Sequence, residues 1–257
     1  MSCSLSLKTF VGKVAIVTGT SAGIGKAIAE TLVKHGVIVA GLARRVERVE
    51  EHSKQLGNES GKLHAFRCDI TNQEEIISTV KEITEKLGPI DILVNNAGLA
   101  RATNIIDGDV EKWKSVLDTN LLAVAIFIKE VIANMKLHKT KGHIININSI
   151  LGHWVVDMPL INIYPASKHA ITALTETVRL EINREKLPIK ITSLSPGYVK
   201  TEIIASEEFA KEAIPQSVEI HKGLESQDIA DAALYILSTP DHVNVNELTV
   251  VVQGRPY

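Results

Sequence analysis

The sequence predicts a single doubly wound α/β domain built on a parallel sheet of seven strands. Short runs rich in β-branched residues alternate with longer helical patterns, as in βαβ units. No Pro/Gly/Ser-rich linker and no change of composition interrupts the 257 residues. The prediction is therefore one domain over 1–257, with ligands bound at the carboxyl ends of its strands.

The first half of the chain contains four predicted strands separated by three helices. The strands are short apolar runs, predicted at 13–19, 37–43, 63–69 and 91–98. The helices are predicted between them, at 23–36, 45–57 and 73–88. The first helix ends at a glycine, and the third places Ile76, Val80 and Ile83 on one face, which is the pattern of a helix covering a sheet.

The second half supplies three more strands and the long helices between them. The strands are predicted at 142–149, 189–197 and 247–254. One helix follows Asp109 and carries Asn120 within its apolar stripe, and another begins near Pro165. Strands that alternate with helices in this way form a parallel sheet covered on both faces.

Composition and charge exclude several classes of function. A net charge of −2 gives no support to nucleic-acid binding. Two cysteines, Cys3 and Cys68, form no disulfide framework and favour a reducing compartment. The first 13 residues lack a signal-peptide core, and the longest apolar run, 121–128, is far shorter than the ~20 residues of a membrane span. We expect a cytoplasmic protein without a metal site.

A glycine-rich turn follows the first strand. The segment "TGTSAGIG" spaces its glycines as GxxxGxG, which lets backbone N–H groups and a helix N-terminus approach a pyrophosphate. The alternative is a plain strand-to-helix turn. The residues expected to contact a dinucleotide here are Gly19, Ser21, Gly23, Ile24 and Gly25.

The end of the second strand indicates which dinucleotide binds. An NAD site usually offers a carboxylate there, but this chain has Arg44 and Arg45. A guanidinium fork suits a 2′-phosphate, so the sequence favours NADP over NAD. The alternative is that both arginines only begin a solvated helix.

Two further strand ends face the same ligand in this interpretation. Asp69 ends the third strand, where a carboxylate can accept a hydrogen bond from the adenine amino group, and Ile70 follows it. The segment "NNAG" ends the fourth strand, so we expect Asn96, Ala97 and Gly98 to lie against the cofactor.

A tyrosine and a lysine one helical turn apart are the candidate catalytic pair. Tyr164 and Lys168 share a helix face, and Pro165 is tolerated at a first helical position, which places Tyr164 at or near the N-cap. A nearby ammonium and the helix dipole both favour the phenolate, so the pattern predicts a lowered pKa for Tyr164. By itself, YxxxK also occurs on ordinary helices.

Two polar residues accompany this pair. Ser149 ends the fifth predicted strand, where its hydroxyl can hydrogen-bond a substrate carbonyl. Asn120 occupies a core position, where an unpaired amide would cost roughly 1–3 kcal/mol. Asn120 therefore belongs either to a structural network or to the site, where it would hold a water or the lysine.

Together these motifs resemble the short-chain dehydrogenase/reductase family over nearly the whole chain. The resemblance implies a Rossmann-like sheet ordered 3-2-1-4-5-6-7, Tyr164 as acid/base, Ser149 as carbonyl orienter, Lys168 on the nicotinamide ribose and Asn120 on a relay water. In "SPGYVKT" the resemblance places four residues beside the nicotinamide: Pro196, Gly197, Val199 and Thr201. The spacing of fifteen positions from Ser149 to Tyr164 is a little long, and "VVQGRPY" lacks the family's usual "DGG".

The segments around the site predict an apolar substrate. The loop 150–163 is strongly apolar, and a lid is expected at about 198–222, so the pocket residues are Trp154, Val155, Leu160 and Tyr198. The loop also resembles the farnesol-dehydrogenase-like subgroup, which implies terpenoid alcohols first and steroids or retinoids next. The loop could instead pack on a partner subunit.

A regulator that senses NADP without catalysis is the alternative function from another class, and an enzyme that reduces a C=C bond is a third possibility.

The helices that contain Ala125 and Leu174 carry apolar residues on more than one side. A helix that covers a monomer's sheet needs only one apolar stripe. Family members pair through these two helices, so the resemblance implies a homodimer or homotetramer. The extra apolar residues could instead lie under loops of the same chain.

Overall fold

The computed structural model describes residues 7–161, 163–202 and 223–254. They form a parallel sheet in the order β3-β2-β1-β4-β5-β6-β7, which confirms the predicted topology. The strands are β1 Val14–Thr18, β2 Ile38–Ala43, β3 Lys62–Arg67, β4 Ile90–Asn95, β5 Gly142–Ile147, β6 Ile189–Pro196 and β7 Glu247–Val250.

Seven α-helices among the described residues flank the sheet. They are α1 Gly23–Lys34, α2 Val46–Gln55, α3 Gln73–Leu87, α4 Val110–Leu117, α5 Ala123–His138, α6 Ile163–Arg184 and α7 Ser226–Leu237. A π-helical turn, Asp118–Leu122, joins α4 to α5, and short 3₁₀ turns lie at Lys8–Phe10 and Ile150–Gly152. Among these residues, no helix combines the length and apolarity that a membrane crossing needs.

Successive side chains along each strand point to opposite faces of the sheet and pack into two apolar cores, one on each face. In β1, Ala15 and Val17 join the core beneath α1 and α7, whereas Val14 and Ile16 join the core beneath α3, α5 and α6. Each strand of a parallel sheet is buried on both faces, which explains why these segments are continuous apolar runs.

Several strands end earlier than the sequence predicts. The predicted strand 63–69 stops at Arg67, 91–98 stops at Asn95, and 247–254 stops at Val250. A β-strand ends where the neighbouring strand no longer forms backbone hydrogen bonds with it. The hydrophobicity of the sequence alone does not show where this happens. As a result, Asp69 and Gly98 lie in connections just beyond the sheet, on its ligand-binding edge.

The start of α6 also differs from the prediction. The helix begins at Ile163, so Tyr164 is its second residue, near the N-cap as predicted, and Pro165 is its third residue instead of its first. The N–H of Tyr164 donates to the carbonyl of Ile161, which closes this first turn. Tyr164 still lies within the first turn, where the positive end of the helix dipole acts.

The expected lid at about 198–222 lies mostly outside the described residues. Its described beginning forms a small parallel bridge between Val199 and Leu224. The N–H of Lys200 donates to the carbonyl of Leu224 (3.0 Å), and the N–H of Leu224 donates to the carbonyl of Tyr198 (2.9 Å). The backbone that leads into the predicted lid is therefore fixed.

Candidate active site

The glycine turn after β1 is too tight for side chains at its three glycines. Gly19 and Gly23 have φ values of +73° and +57°, a region that side chains disfavour. A Cβ on Gly25 would lie 2.5 Å from the carbonyl oxygen of Gly19, and one on Gly19 would lie 3.0 Å from the Cα of Ala97. The turn therefore packs closely on itself and on the end of β4.

The N-terminus of α1 faces this turn without a side-chain cap. Its N-cap is Ala22, which offers no acceptor for the first N–H groups of the helix. Unpaired N–H donors at the carboxyl end of a central strand suit a pyrophosphate, so Gly23, Ile24 and Gly25 fit the dinucleotide expected from the sequence.

The end of β4 is fastened to the glycine turn through Thr18. The backbone N–H groups of Asn96 and Ala97 donate to the Thr18 hydroxyl, at 3.0 and 2.9 Å. The Nδ2 of Asn96 donates to the Thr18 carbonyl at 2.8 Å. The structure therefore brings Asn96 and Ala97 to the predicted place and gives Asn96 a structural role. Thr18 is a supporting residue that sequence reasoning missed.

The two predicted arginines lie on the surface at the end of β2, next to the glycine turn. Arg44 and Arg45 are both exposed. The guanidinium of Arg45 donates to the hydroxyl of Ser21 at 3.2 Å and to Glu202 at 2.8 Å. Arg48, one turn into α2, donates to Glu202 at 3.0 Å. Sequence reasoning did not assign Arg48 or Glu202 to the site.

Asp69 and Ile70 lie just beyond β3, which ends at Arg67 and not at Asp69 as predicted. The Asp69 carboxylate accepts hydrogen bonds from the backbone N–H and the hydroxyl of Thr71, at 3.0 and 2.8 Å. These bonds, the backbone one first, hold the pKa of Asp69 below its ordinary value. Ile70 packs against the core on the α3 side. Asp69 therefore offers an ionised hydrogen-bond acceptor at the carboxyl edge of the sheet, where the glycine turn also lies.

Ser149, Tyr164 and Lys168 come together at the carboxyl end of β5. The Ser149 hydroxyl accepts from the N–H of Leu151 (3.1 Å) and hydrogen-bonds with Tyr164. Lys168 is buried, and its Nζ donates to the carbonyl of Ile147 at 2.9 Å. The same Nζ lies 5.6 Å from the centre of the Tyr164 ring. The strand end and the first turns of α6 therefore hold all three groups in one cluster.

The pKa of Tyr164 is raised in this structure, so the prediction of a lowered pKa is wrong for the protein without a bound cofactor. Burial raises the pKa of Tyr164 to about 12, and the hydrogen bond with Ser149 offsets only part of this rise. Burial also lowers the pKa of Lys168 to about 8. Lys168 is buried and Tyr164 is partly buried, and this loss of water contact is the largest influence on both pKa values. The phenol therefore keeps its proton at neutral pH and can donate it.

Asn120 is hydrogen-bonded to other protein groups through both ends of its side-chain amide. Its Oδ1 accepts from the N–H of Leu99, and its Nδ2 donates to the Leu99 carbonyl, both at 2.9 Å. Nδ2 also donates to Ser167 at 3.1 Å, and Ser167 donates to the carbonyl of Tyr164 at 2.7 Å. The side chain thus links the loop after β4 to the first turn of α6. It does not hold Lys168, which was one of its predicted roles.

The residues after β6 approach the glycine turn from the other side. Pro196 and Val199 are buried, and the N–H of Gly197 donates to the carbonyl of Val250 at 2.8 Å. The Thr201 methyl group lies 3.3 Å from the place of a Cβ on Gly23. This loop therefore lies next to the glycine turn at the ligand-binding edge, and its place beside a nicotinamide stays a prediction.

The four predicted pocket residues differ in exposure. Trp154 is 41% exposed and Val155 78% exposed. Leu160 packs against Ala102, and Tyr198 is partly buried at the start of the predicted lid. Large apolar side chains left open beside a polar cluster are typical of a site for an apolar ligand.

A separate cleft of about 880 Å³ opens at the opposite, amino-terminal edge of the sheet. Two of its lysines have partners within the chain: Lys13 lies 3.6 Å from Asp91, and Lys190 donates to the carbonyl of Thr239 at 3.1 Å. We assign no ligand to this cleft, because the uncapped helix and the Ser–Tyr–Lys cluster lie at the other end of the strands.

The fold and the site are those of a dinucleotide-dependent oxidoreductase. Residues 13–212 match the model of a single family, described as short chain dehydrogenase. The chain belongs to this short-chain dehydrogenase family.

Named relatives cover almost the whole chain. Farnesol dehydrogenase from Aedes aegypti is 46% identical over 253 residues, which are 96% of this chain and 99% of the relative. Dehydrogenase/reductase SDR family member 11 from Homo sapiens is 38% identical over 248 residues, 95% of this chain and 94% of the relative. The solved alcohol dehydrogenase of Thermococcus sibiricus, complexed with 5-hydroxy-NADP, has a TM-score of 0.82 at 28% identity, covering 95% of this chain and 99% of that one.

Proposed function

We propose that this chain is an NADP-dependent oxidoreductase that interconverts an apolar alcohol and its aldehyde or ketone. An acyclic terpenoid alcohol such as farnesol is the favoured substrate. The observation that carries the proposal is the Ser149–Tyr164–Lys168 cluster at the end of β5, two strands from the uncapped glycine turn after β1. This separation leaves room for an extended dinucleotide along the sheet edge.

Each residue of the cluster has one role in the proposed reaction. Ser149 hydrogen-bonds the substrate oxygen and orients it beside Tyr164. During reduction the Tyr164 hydroxyl gives its proton to that oxygen and becomes a tyrosinate, and during oxidation the tyrosinate takes the proton from the alcohol. Lys168 is proposed to hold the nicotinamide ribose, and Asn120 to support the first turn of α6 and a relay water. The bound nicotinamide supplies or accepts the hydride.

The preference for NADP rests on charge at the end of β2. Arg44, Arg45 and Arg48 place three guanidinium groups near the adenosine side of the glycine turn. A 2′-phosphate accepts charge-assisted hydrogen bonds from such groups, whereas a ribose hydroxyl gains little from them. The bound 5-hydroxy-NADP of the Thermococcus sibiricus relative supports the same choice.

The choice of substrate rests on the apolar entrance and on one relative. Trp154, Val155 and Met158 expose large apolar surfaces close to Ser149 in sequence. The Aedes aegypti relative is named a farnesol dehydrogenase. Burial of apolar surface contributes about 25 cal/mol per Å², so a long hydrocarbon chain gains more from this entrance than a short alcohol does.

A substrate panel with both cofactors tests the proposal. Purified protein is assayed with acyclic terpenoid alcohols, steroids and retinoids, each with NADP and with NAD in parallel. We expect the highest kcat/KM for a terpenoid alcohol with NADP. A higher value for a steroid or retinoid would replace the substrate, and NADP binding without turnover of any compound would indicate a sensor instead of an enzyme.

We further propose that the chain forms at least a homodimer through α5 and α6. Leu122 is 54% exposed and Leu180 48% exposed beside these helices, although Leu174 packs partly on the chain's own core. Light scattering tests the assembly, because the monomer mass is 28.0 kDa. Ala125→Glu is expected to dissociate the dimer, and a dimer that survives this change would place the interface elsewhere.

A further inference from the structure

The Glu202 carboxylate forms ion pairs with two arginines of the proposed 2′-phosphate site. Its Oε2 lies 2.8 Å from Arg45 and its Oε1 lies 3.0 Å from Arg48. The two carboxylate oxygens therefore each take a different guanidinium group. A phosphate at this place would need the same N–H donors.

The position of Glu202 follows from the backbone around it. Thr201 contacts the glycine turn at Gly23, and Lys200 is hydrogen-bonded to Leu224. These contacts place the Glu202 carboxylate next to the arginines, although 154 positions of sequence separate it from Arg48. The hydrogen bonds from the arginines, that from Arg45 first, hold the pKa of Glu202 below its ordinary value, so the carboxylate is ionised at neutral pH.

We propose that Glu202 is a specificity-determining residue that competes with the 2′-phosphate of NADP for Arg45 and Arg48. This inference rests on the proposed use of NADP. The 2′-phosphate displaces the carboxylate when NADP binds, whereas NAD leaves both ion pairs in place. Glu202 therefore reduces the preference for NADP below what the arginines alone would give.

The exposure of the groups limits the size of the effect. The arginine side chains are 50% exposed and the glutamate 56% exposed. Exposed ion pairs are weak, so removal of the competing carboxylate should tighten NADP binding about threefold to tenfold. The gain should shrink at high salt, because screening weakens both the ion pairs and the phosphate contact.

Two other roles for Glu202 predict the opposite sign. If the carboxylate holds the arginines in place for the phosphate, its removal weakens NADP binding. If the carboxylate accepts a hydrogen bond from the ribose hydroxyls, its removal weakens NAD binding. The sign of the change in each affinity therefore separates competition from both of these roles.

Calorimetric titration of the full chain with adenosine 2′,5′-bisphosphate, NADP and NAD tests the inference. Glu202→Gln keeps the size of the side chain and removes its charge. Glu47→Gln removes the same charge from an exposed position of α2 and serves as the matched control. We expect Glu202→Gln to bind the bisphosphate and NADP about threefold to tenfold more tightly, with NAD affinity within twofold of wild type, and Glu47→Gln to change every affinity less than twofold.

Unchanged or weaker NADP binding by Glu202→Gln, or weaker NAD binding, would overturn the inference. Adding Glu202→Gln to Arg45→Ala should give a smaller gain than in wild type, since one of the contested donors is gone. If the wild type binds NADP no better than NAD, the proposed cofactor is wrong. If the wild type prefers NADP and Glu202→Gln leaves that preference unchanged, only the competition is wrong.

Discussion

Gly25→Ala tests whether the glycine turn holds the dinucleotide. The added Cβ would lie 2.5 Å from the carbonyl oxygen of Gly19, whereas ordinary van der Waals contacts begin at 3.4 Å. The Nδ2 of Asn96 lies on the same side and is held by the Thr18 carbonyl. Neither neighbour is the free end of a flexible side chain, so the turn itself must shift.

The size of the effect follows from the cost of overpacking. Inserting a methyl group into a closely packed region costs about 1–3 kcal/mol. If this cost appears in binding, the NADP dissociation constant rises about fivefold to more than a hundredfold. If it appears in stability, the midpoint of thermal unfolding falls by about 2–12 °C for a domain of this size.

NADP titration and thermal unfolding of the same samples measure both effects. Gly57→Ala is the matched control, because Gly57 is exposed, has no positive φ and lies beyond the end of α2. We expect its NADP affinity to equal that of wild type and its stability to lie within about 0.5 kcal/mol. Wild-type NADP affinity in Gly25→Ala, together with the expected fall in the unfolding midpoint, would refute the assignment of the pyrophosphate to this turn, because the turn would then have shifted without any effect on the cofactor.

Three further predictions concern charge. Lys168→Met should lose both turnover and NADP affinity, and unchanged binding in a titration would argue against contact with the ribose. Arg44→Ala and Arg45→Ala should weaken NADP binding about tenfold or more and leave NAD binding unchanged, since a charge-assisted hydrogen bond is worth about 1.5–3 kcal/mol. Equal losses of affinity for both cofactors would mean that the two arginines only begin a solvated helix. Burial lowers the pKa of His143 from 6.5 to about 3, so its contribution to stability is full above pH 6.5 and is lost as the pH falls toward 3. The free energy of unfolding of His143→Gln, measured with urea, should fall less than that of wild type as the pH is lowered from 6.5 toward 3. An equal fall in the two proteins would contradict this prediction.

The sequence predicts the sheet and much of the site because these features are local. Buried strands are continuous apolar runs, and the glycine turn follows the first of them directly. Tyr164 and Lys168 share a face because four positions make about one turn of any helix. Local spacing of this kind needs no knowledge of the tertiary structure.

Other features depend on contacts between distant segments. The partners of Asn120 are Leu99 and Ser167, which lie on two different elements. The ion pairs of Glu202 join the end of the β6 loop to α2, and no local pattern marks them. The raised pKa of Tyr164 follows from burial, which the YxxxK spacing does not specify.

Tyr164→Phe tests the central claim most directly, with turnover and NADPH binding measured on the same preparation. Phenylalanine keeps the ring and removes only the hydroxyl that hydrogen-bonds with Ser149. Loss of a positioned proton donor typically lowers the rate about 10²–10⁴-fold. We predict turnover reduced by about a hundredfold or more, with NADPH affinity close to wild type. Turnover that remains above a few per cent of wild type, with binding intact, would contradict the assignment of Tyr164 as the acid/base of this enzyme.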